Sequence, residues 1–118
     1  MPTSLPDNFP LLSLLVSMNL VIWNCRGALK PSFQNHVRDL VALHDPAIFA
    51  VMETHVGGDR AKDITDRLPF QGAIHTDTIG FAGGLWLLWD TDRVEITNLA
   101  SAEQEIHVLV KELSSNSS

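Results

Sequence analysis

The sequence is poor in cysteine and in positive charge, and each deficit excludes a class of protein. Cys25 is the one cysteine in 118 residues, so an intrachain disulfide and a cysteine-rich zinc site are both excluded. Eight Lys and Arg stand against fourteen Asp and Glu, giving a formal net charge of −6. This charge argues against a nucleic-acid binder that relies on a basic face alone. It still permits an enzyme acting on phosphodiesters, because a bound divalent cation can supply positive charge.

Long apolar runs are also lacking. Residues 9–18 read FPLLSLLVSM with no Lys or Arg before them, and about ten residues are too few to cross a bilayer. We predict no membrane association, a poorly ordered leader over residues 1–17 and a disordered serine-rich tail over residues 112–118. Residues 18–111 then form the single domain, since 45% of the chain is hydrophobic. The single cysteine suits a reducing, intracellular compartment, the nucleus included.

Two almost continuously apolar segments, residues 19–25 and 47–53, are predicted to be parallel strands buried on both faces. Between them, apolar residues recur at the spacing of an amphipathic helix that Asp45 and Pro46 end. A strand, a helix and a strand in this order form a βαβ unit. The helical stripe consists of Phe33, Val37, Leu40, Val41 and His44.

The rest of the chain changes pattern after a second, weaker helix predicted at residues 59–67. Short alternating segments then predict an antiparallel meander of hairpins, with Asp90, Thr91 and Asp92 forming one tight turn. The fold class is therefore α/β. The predicted strands are residues 70–75, 84–90, 93–99 and 105–111.

Polar residues end both apolar strands: Asn24 closes the first and Glu53 the second. Parallel strands bring these ends to one edge of the sheet, where open α/β sheets bind ligands. Asn24 either caps the next loop or contacts a ligand. If Glu53 is buried, it either forms an ion pair with Arg26 or binds Mg²⁺, which prefers one or two carboxylates plus water. His55, two residues further on, either reaches the same space or lies in a solvated loop.

Three motifs in this order resemble the endonuclease/exonuclease/phosphatase superfamily. They are Trp-Asn-Cys-Arg-Gly at 23–27, Met-Glu-Thr at 52–54 and Gly-Gly-Leu-Trp-Leu-Leu-Trp at 83–89. They are most similar to the endonuclease domain of plant LINE-type (non-LTR) retrotransposon proteins and their host-encoded relatives. The resemblance covers about residues 18–111. It implies a partial four-layer α/β sandwich, the N-terminal half of such a domain.

The resemblance also implies a function, Mg²⁺- or Mn²⁺-dependent cleavage of phosphodiesters with DNA as partner. Glu53 would be a metal ligand, and Asn24 would complete the metal site and position the bound phosphate. Arg26 and His55 would be accessory, although the plant members commonly carry Lys where His55 stands. The family's later Asp-x-Asn and Ser-Asp-His segments have no match in this sequence. We therefore expect a fragment that is inactive alone.

Two alternatives to a nuclease remain open. The first is a non-catalytic remnant that acts as an interaction module through an exposed sheet face. Such a face would also promote self-association or aggregation. The second is a complete small α/β binding domain in which Glu53 is paired with Arg26.

Overall fold

The computed structural model describes residues 19–76, 78, 83–102 and 105–113. The predicted leader and the tail beyond Leu113 lie outside this part of the chain. Within it, two helices and two sheets confirm the α/β class. The elements are β1 (Leu20–Asn24), α1 (Phe33–His44), β2 (Ile48–Met52), α2 (Gly58–Thr65), β3 (Gly72–His75), β4 (Leu85–Trp89), β5 (Val94–Ala102) and β6 (Glu105–Glu112).

The predicted βαβ unit is present. Strand β1 pairs in parallel with β2, with Leu20 beside Ile48 and Asn24 beside Met52. Helix α1 connects them and ends where Asp45 adopts a left-handed conformation, φ 47°, with its N–H donating to Val41 O at 2.8 Å. That conformation and the following proline together end the helix at the predicted place.

The predicted antiparallel meander is confirmed in part: β3 pairs with β4 and β5 pairs with β6, but β4 does not pair with β5. The larger sheet has the order β1-β2-β4-β3, so β4 lies between β2 and β3 and is antiparallel to both. Because both hydrogen-bonding edges of β4 are occupied, β5 cannot pair with it. Strands β5 and β6 instead form a separate antiparallel hairpin. Asp90 makes the turn between the large sheet and this hairpin, because its carboxylate accepts the Asp92 N–H at 2.9 Å.

The hairpin also corrects the predicted tail. Strand β6 extends to Glu112, and the Leu113 N–H donates to Arg93 O at 2.9 Å. Residues 112 and 113 therefore belong to the folded domain, because their backbone continues the pairing with the start of β5.

One face of the large sheet carries the main core. Alternate residues of the two central strands, β2 and β4, point to this face and are fully buried, among them Phe49, Val51 and Trp86. Helix α1 covers them with Phe33 and Val37. The Phe33 ring stacks on Trp23 at 5.6 Å between centroids and meets Trp86 edge-on at 5.9 Å. These aromatic contacts hold α1 against β1 and β4.

Within the described residues the opposite face is largely uncovered, so the prediction that β1 is buried on both faces is wrong there. Leu20 is 44% exposed, Ile22 63% and Met52 41%. A small cluster of Ala47, Ile48 and Val94, at the base of the β5–β6 hairpin, covers one end of this face only. We call the uncovered part the open face. It consists of Leu20, Ile22, Ala50, Met52 and Leu85. No helix in the described ranges is long and apolar enough to cross a membrane.

A glycine in β3 is required by packing. A Cβ on Gly72 would overlap the indole of Trp89, its direct partner across β3 and β4. We predict that Gly72→Ala lowers the free energy of unfolding by about 1–3 kcal/mol, the usual effect of overpacking. Denaturant unfolding would measure it. In a Trp89→Leu background the same substitution should have a clearly smaller effect, and an equal loss in both backgrounds would contradict this packing.

His75 in β3 makes stability depend on pH. Burial lowers the pKa of its imidazole, an effect that Asp66 partly opposes, and the ring shares a 2.9 Å hydrogen bond with Thr65 Oγ1. The folded state therefore favours neutral His75, while the unfolded chain binds a proton near pH 6.5. Stability is complete above about pH 6.5 and falls as the pH drops below it.

Thermal unfolding at a series of pH values checks this. His75→Gln should reduce the loss of stability below about pH 6.5. His44→Gln, at the exposed end of α1, should leave that loss of stability unchanged. A slope that is unchanged in His75→Gln would show that another group is responsible.

Candidate functional site

Asn24 and Glu53 lie side by side at one rim of the sheet. The Asn24 Nδ2 amide donates to Glu53 Oε2 at 2.8 Å. The contact follows from the register of the parallel strands, since Asn24 is the partner of Met52, the residue before Glu53. The structure thus brings together the two side chains that the sequence placed at a common edge.

The Asn24 amide also holds the loop that follows β1. Its Oδ1 accepts the Arg26 N–H at 3.1 Å. This assignment of the amide is the one that satisfies both neighbours, because only its NH₂ can donate to a carboxylate and only its oxygen can accept an N–H. Asn24 therefore both caps the loop and orients the carboxylate.

The predicted alternative for Glu53, an ion pair with Arg26, is not present. In the described part of the chain the ion pairs are Lys62–Asp66, Arg93–Asp45 and His107–Glu105. Glu53 is also exposed rather than buried, so it does not need a cation to offset desolvation. Solvent and the Asn24 amide satisfy this carboxylate, which leaves it accessible to a ligand.

The backbone at this rim is strained. The backbone φ values are 56° at Arg26, 55° at Glu53 and 61° at His55. They lie in the left-handed region, which residues other than glycine and asparagine seldom adopt. Such strain persists only where the surroundings impose it, and it clusters at ligand and catalytic sites. The three residues come from the two loops that follow β1 and β2.

Hydrogen bonds to the flanking segments impose this geometry. Gly27 N–H donates to Glu53 O at 2.8 Å, and His55 N–H donates to Gly83 O at 2.8 Å. Thr54 between them is fully buried, and its N–H donates to Gly84 O at 3.2 Å. The loop carrying Glu53 is therefore held from both sides, on the β1 side and on the β4 side.

Gly84 supports the site in a way that strand periodicity does not reveal. Its φ is +98°, and a Cβ there would overlap Thr54 Oγ1 and lie 3.1 Å from the His55 nitrogen. The glycine lets the start of β4 approach the Glu53 loop closely. The sequence signal for this role is the Gly-Gly pair directly before an apolar strand.

A pocket of about 220 Å³ lies on the other side of Asn24. Trp23 and Phe33 form part of its wall, and Arg26, Lys30 and His36 bring basic groups to it. Within the described ranges, Arg26 and Lys30 make no ion pair. The pocket thus combines basic residues with Asn24, the residue that donates to the Glu53 carboxylate.

His55 lies close to this pocket. Its Nδ1 would be 3.6 Å, and the Lys30 stem 3.8 Å, from a Cβ placed on Gly27. The imidazole and Lys30 therefore both lie beside the Gly27 loop.

The donor set at the rim fits a loosely held hard cation. The described residues contain no group of three or more His, Cys, Asp or Glu that could hold a metal. Mg²⁺ needs only one or two carboxylates when water and substrate phosphates complete its shell, and Glu53 supplies one. Asn24 Oδ1 already accepts the Arg26 N–H, so this arrangement makes Glu53 the direct ligand and Asn24 its support.

Cys25 is a small buried residue. Burial raises the pKa of its thiol, and the Sγ–H donates weakly to Glu53 O at 3.6 Å. A thiol that is protonated at neutral pH is a poor nucleophile and a poor metal ligand. Cys25 therefore contributes packing beneath the rim.

Comparison with protein-family models gave no match, and comparison with curated proteins gave none either. The chemistry of the rim residues and the sequence motifs are therefore what indicates a function.

The left-handed backbone at Glu53 has a measurable effect on stability. A non-glycine residue in this conformation costs about 1–2 kcal/mol, so Glu53→Gly should be more stable than Glu53→Ala by about 1 kcal/mol. Both variants remove the carboxylate, and their difference isolates the backbone. Denaturant unfolding measures it, and a Glu53→Gly variant less stable than Glu53→Ala would show that no strain is released.

Proposed function

We propose that this chain carries the metal-binding side of a phosphodiesterase site of the endonuclease/exonuclease/phosphatase type, with DNA as substrate and the nucleus as its place of action. The observation that carries the proposal is the 2.8 Å hydrogen bond between Asn24 and Glu53 at the shared edge of two parallel strands. The motif resemblance adds support. In the corresponding four-layer sandwich, a second sheet would cover the open face.

Glu53 would hold the cation, and Asn24 would hold Glu53. A bound Mg²⁺ or Mn²⁺ would supply a Lewis acid that polarises a phosphoryl oxygen. The amide donor of Asn24 fixes one carboxylate oxygen and leaves the other for a ligand. The hydrogen bonds from Gly27 and His55 keep this loop in place without the ion, so the carboxylate is already oriented before a ligand arrives.

The basic pocket beside Asn24 would bind the phosphate backbone. Arg26 and Lys30 are on the loop that Asn24 caps. Two cations at this point can neutralise a polyanion locally although the chain as a whole carries −6. His55 beside them adds a ring that can donate a hydrogen bond.

We assign no general base to this chain. Hydrolysis needs a group that takes a proton from water, and the sequence after Glu53 contains neither Asp-x-Asn nor Ser-Asp-His. We therefore expect metal and phosphate binding with little or no turnover by this chain alone.

A second candidate function is an interaction module without hydrolytic activity. The open face favours it, because Ile22, at 63% exposure on the edge strand β1, belongs to an apolar surface that the described residues leave uncovered. This candidate does not need the carboxylate at the rim, so the two functions are separated by variants of Glu53.

Calorimetric titration with Mn²⁺ tests the metal site. We expect weak binding by the native chain, loss of binding in Glu53→Gln, and roughly 10-fold weaker binding in Asn24→Ala, the usual effect of removing a supporting hydrogen bond. Glu95→Gln, an exposed carboxylate on β5, is the matched control and should bind normally.

The absence of Mn²⁺ binding by the native chain would refute the metal site. A plasmid-nicking assay with added Mg²⁺ examines turnover, for which we expect at most a trace. Robust nicking that persists in Glu53→Ala would contradict the role given to this residue.

A further inference from the structure

The basic pocket of about 220 Å³ at the rim has a closed inner side and an exposed mouth. Its inner side includes Cys25, which is buried, and Trp23 and Phe33, whose rings stack at 5.6 Å between centroids. Arg26 and Lys30 also line the pocket, and both are exposed to solvent. The pocket therefore ends against the core and opens to water beside basic residues.

Two interactions place basic side chains at this pocket. Burial raises the pKa of the Cys25 thiol, and the positive charge of Lys30 is among the groups that oppose this rise. The His36 ring meets Trp23 edge-on at 5.8 Å between centroids. Ser32 adds a hydroxyl that makes no capping hydrogen bond to α1. Several hydrogen-bond donors can therefore turn to one ligand at the mouth of the pocket.

The positive charge of this pocket is not offset by its own lining residues, which include no Asp or Glu. Arg26 and Lys30 also take no part in the ion pairs of the described residues. The chain as a whole carries −6, so the composition does not explain this local excess of positive charge. A pocket of this kind favours an anion of high charge density.

Size and charge together favour a phosphate that is attached on one side only. The volume of about 220 Å³ is below the roughly 300 Å³ at which pockets for whole small molecules begin, so the pocket suits a phosphate group rather than a whole nucleotide. A phosphomonoester carries a charge of about −1.5 to −2 near neutral pH and presents three acceptor oxygens. A phosphate within a strand carries one charge and needs an exit on two sides, which the closed inner side does not offer.

We propose that this pocket binds the terminal phosphate of a DNA strand, which narrows the substrate class of the proposed site to DNA with a phosphorylated end. The choice of DNA rests on the proposed function, and the choice of a monoester rests on the pocket. Asn24 lines the pocket and donates to Glu53 Oε2 at 2.8 Å. A strand end held in the pocket therefore contacts the residue that supports the proposed metal ligand.

Fluorescence anisotropy with short single-stranded DNA tests this preference. The salt concentration is held fixed, and a chelator replaces divalent ions. One pair of probes carries either phosphate or hydroxyl at the 5′ end, and a second pair differs in the same way at the 3′ end. We expect the phosphorylated member of at least one pair to bind about 10-fold more tightly, because hydrogen bonds between charged groups are among the stronger ones.

Variants of the pocket test whether it is the source of the preference. In Lys30→Gln and in Arg26→Gln, the phosphorylated and hydroxyl probes should bind about equally. Both side chains are exposed, so circular dichroism should show both variants folded. Lys111→Gln on β6 and Arg38→Gln on α1 remove exposed charges elsewhere and are the matched controls, which should keep the preference of the native chain.

Three results would overturn the proposal: equal affinity of the native chain for phosphorylated and hydroxyl probes, a preference that survives in both pocket variants, or inorganic phosphate binding as tightly as the phosphorylated DNA. Equal affinity that is lost in Lys30→Gln would mean that the pocket contacts phosphates within the strand instead. Because no divalent ion is present, the outcome is separate from that of the Mn²⁺ titration. A native chain that binds Mn²⁺ without preferring a phosphorylated end would lose the strand-end site alone, and the reverse result would refute the metal site alone.

Discussion

The parallel pairing of β1 and β2 is the constraint on which the rest of the structure depends. It brings Asn24 next to Met52, and the ladder continues past the strand ends as Cys25 N–H donates to Met52 O at 3.0 Å and Gly27 N–H to Glu53 O at 2.8 Å. The two loops therefore follow one another at hydrogen-bonding distance. Both the amide–carboxylate contact and the left-handed conformations at the rim follow from this continuation.

Apolar periodicity predicts this pairing well and predicts burial poorly. The segments around Leu20 and Ile48 are apolar over a full strand length, and a helix with a clear stripe joins them, so the βαβ unit and the meeting of Asn24 with Glu53 could be expected. The same apolar pattern suggested that β1 is covered on both faces. The pattern shows which side chains favour burial. Whether they are buried depends on distant parts of the chain, and among the described residues the base of the hairpin is what covers this face.

Neither the pairing of the strands nor the local backbone strain could be predicted from the sequence, and the reasons are related. Insertion of β4 between β2 and β3 depends on contacts among residues far apart in the chain, such as Val51 with Trp86, and alternation within a strand does not encode its neighbours. Likewise, the position of Arg26 just beyond the first strand made an ion pair with Glu53 one of the two expected arrangements. The Asn24 amide lies between the Arg26 backbone and the Glu53 carboxylate instead, an arrangement set by the turn after β1.

The rim and the open face share a border, so covering the open face would change the surroundings of Glu53. Met52 belongs to the open face, and Glu53 lines the same depression as Ile22 and Leu85. A protein surface that covers this depression would remove water from one side of the carboxylate. Coulomb attraction between a carboxylate and a cation strengthens as the surrounding dielectric falls. A partner that covered the open face would thereby strengthen binding of a cation at Glu53, and by linkage the cation would stabilise the covered state to the same degree.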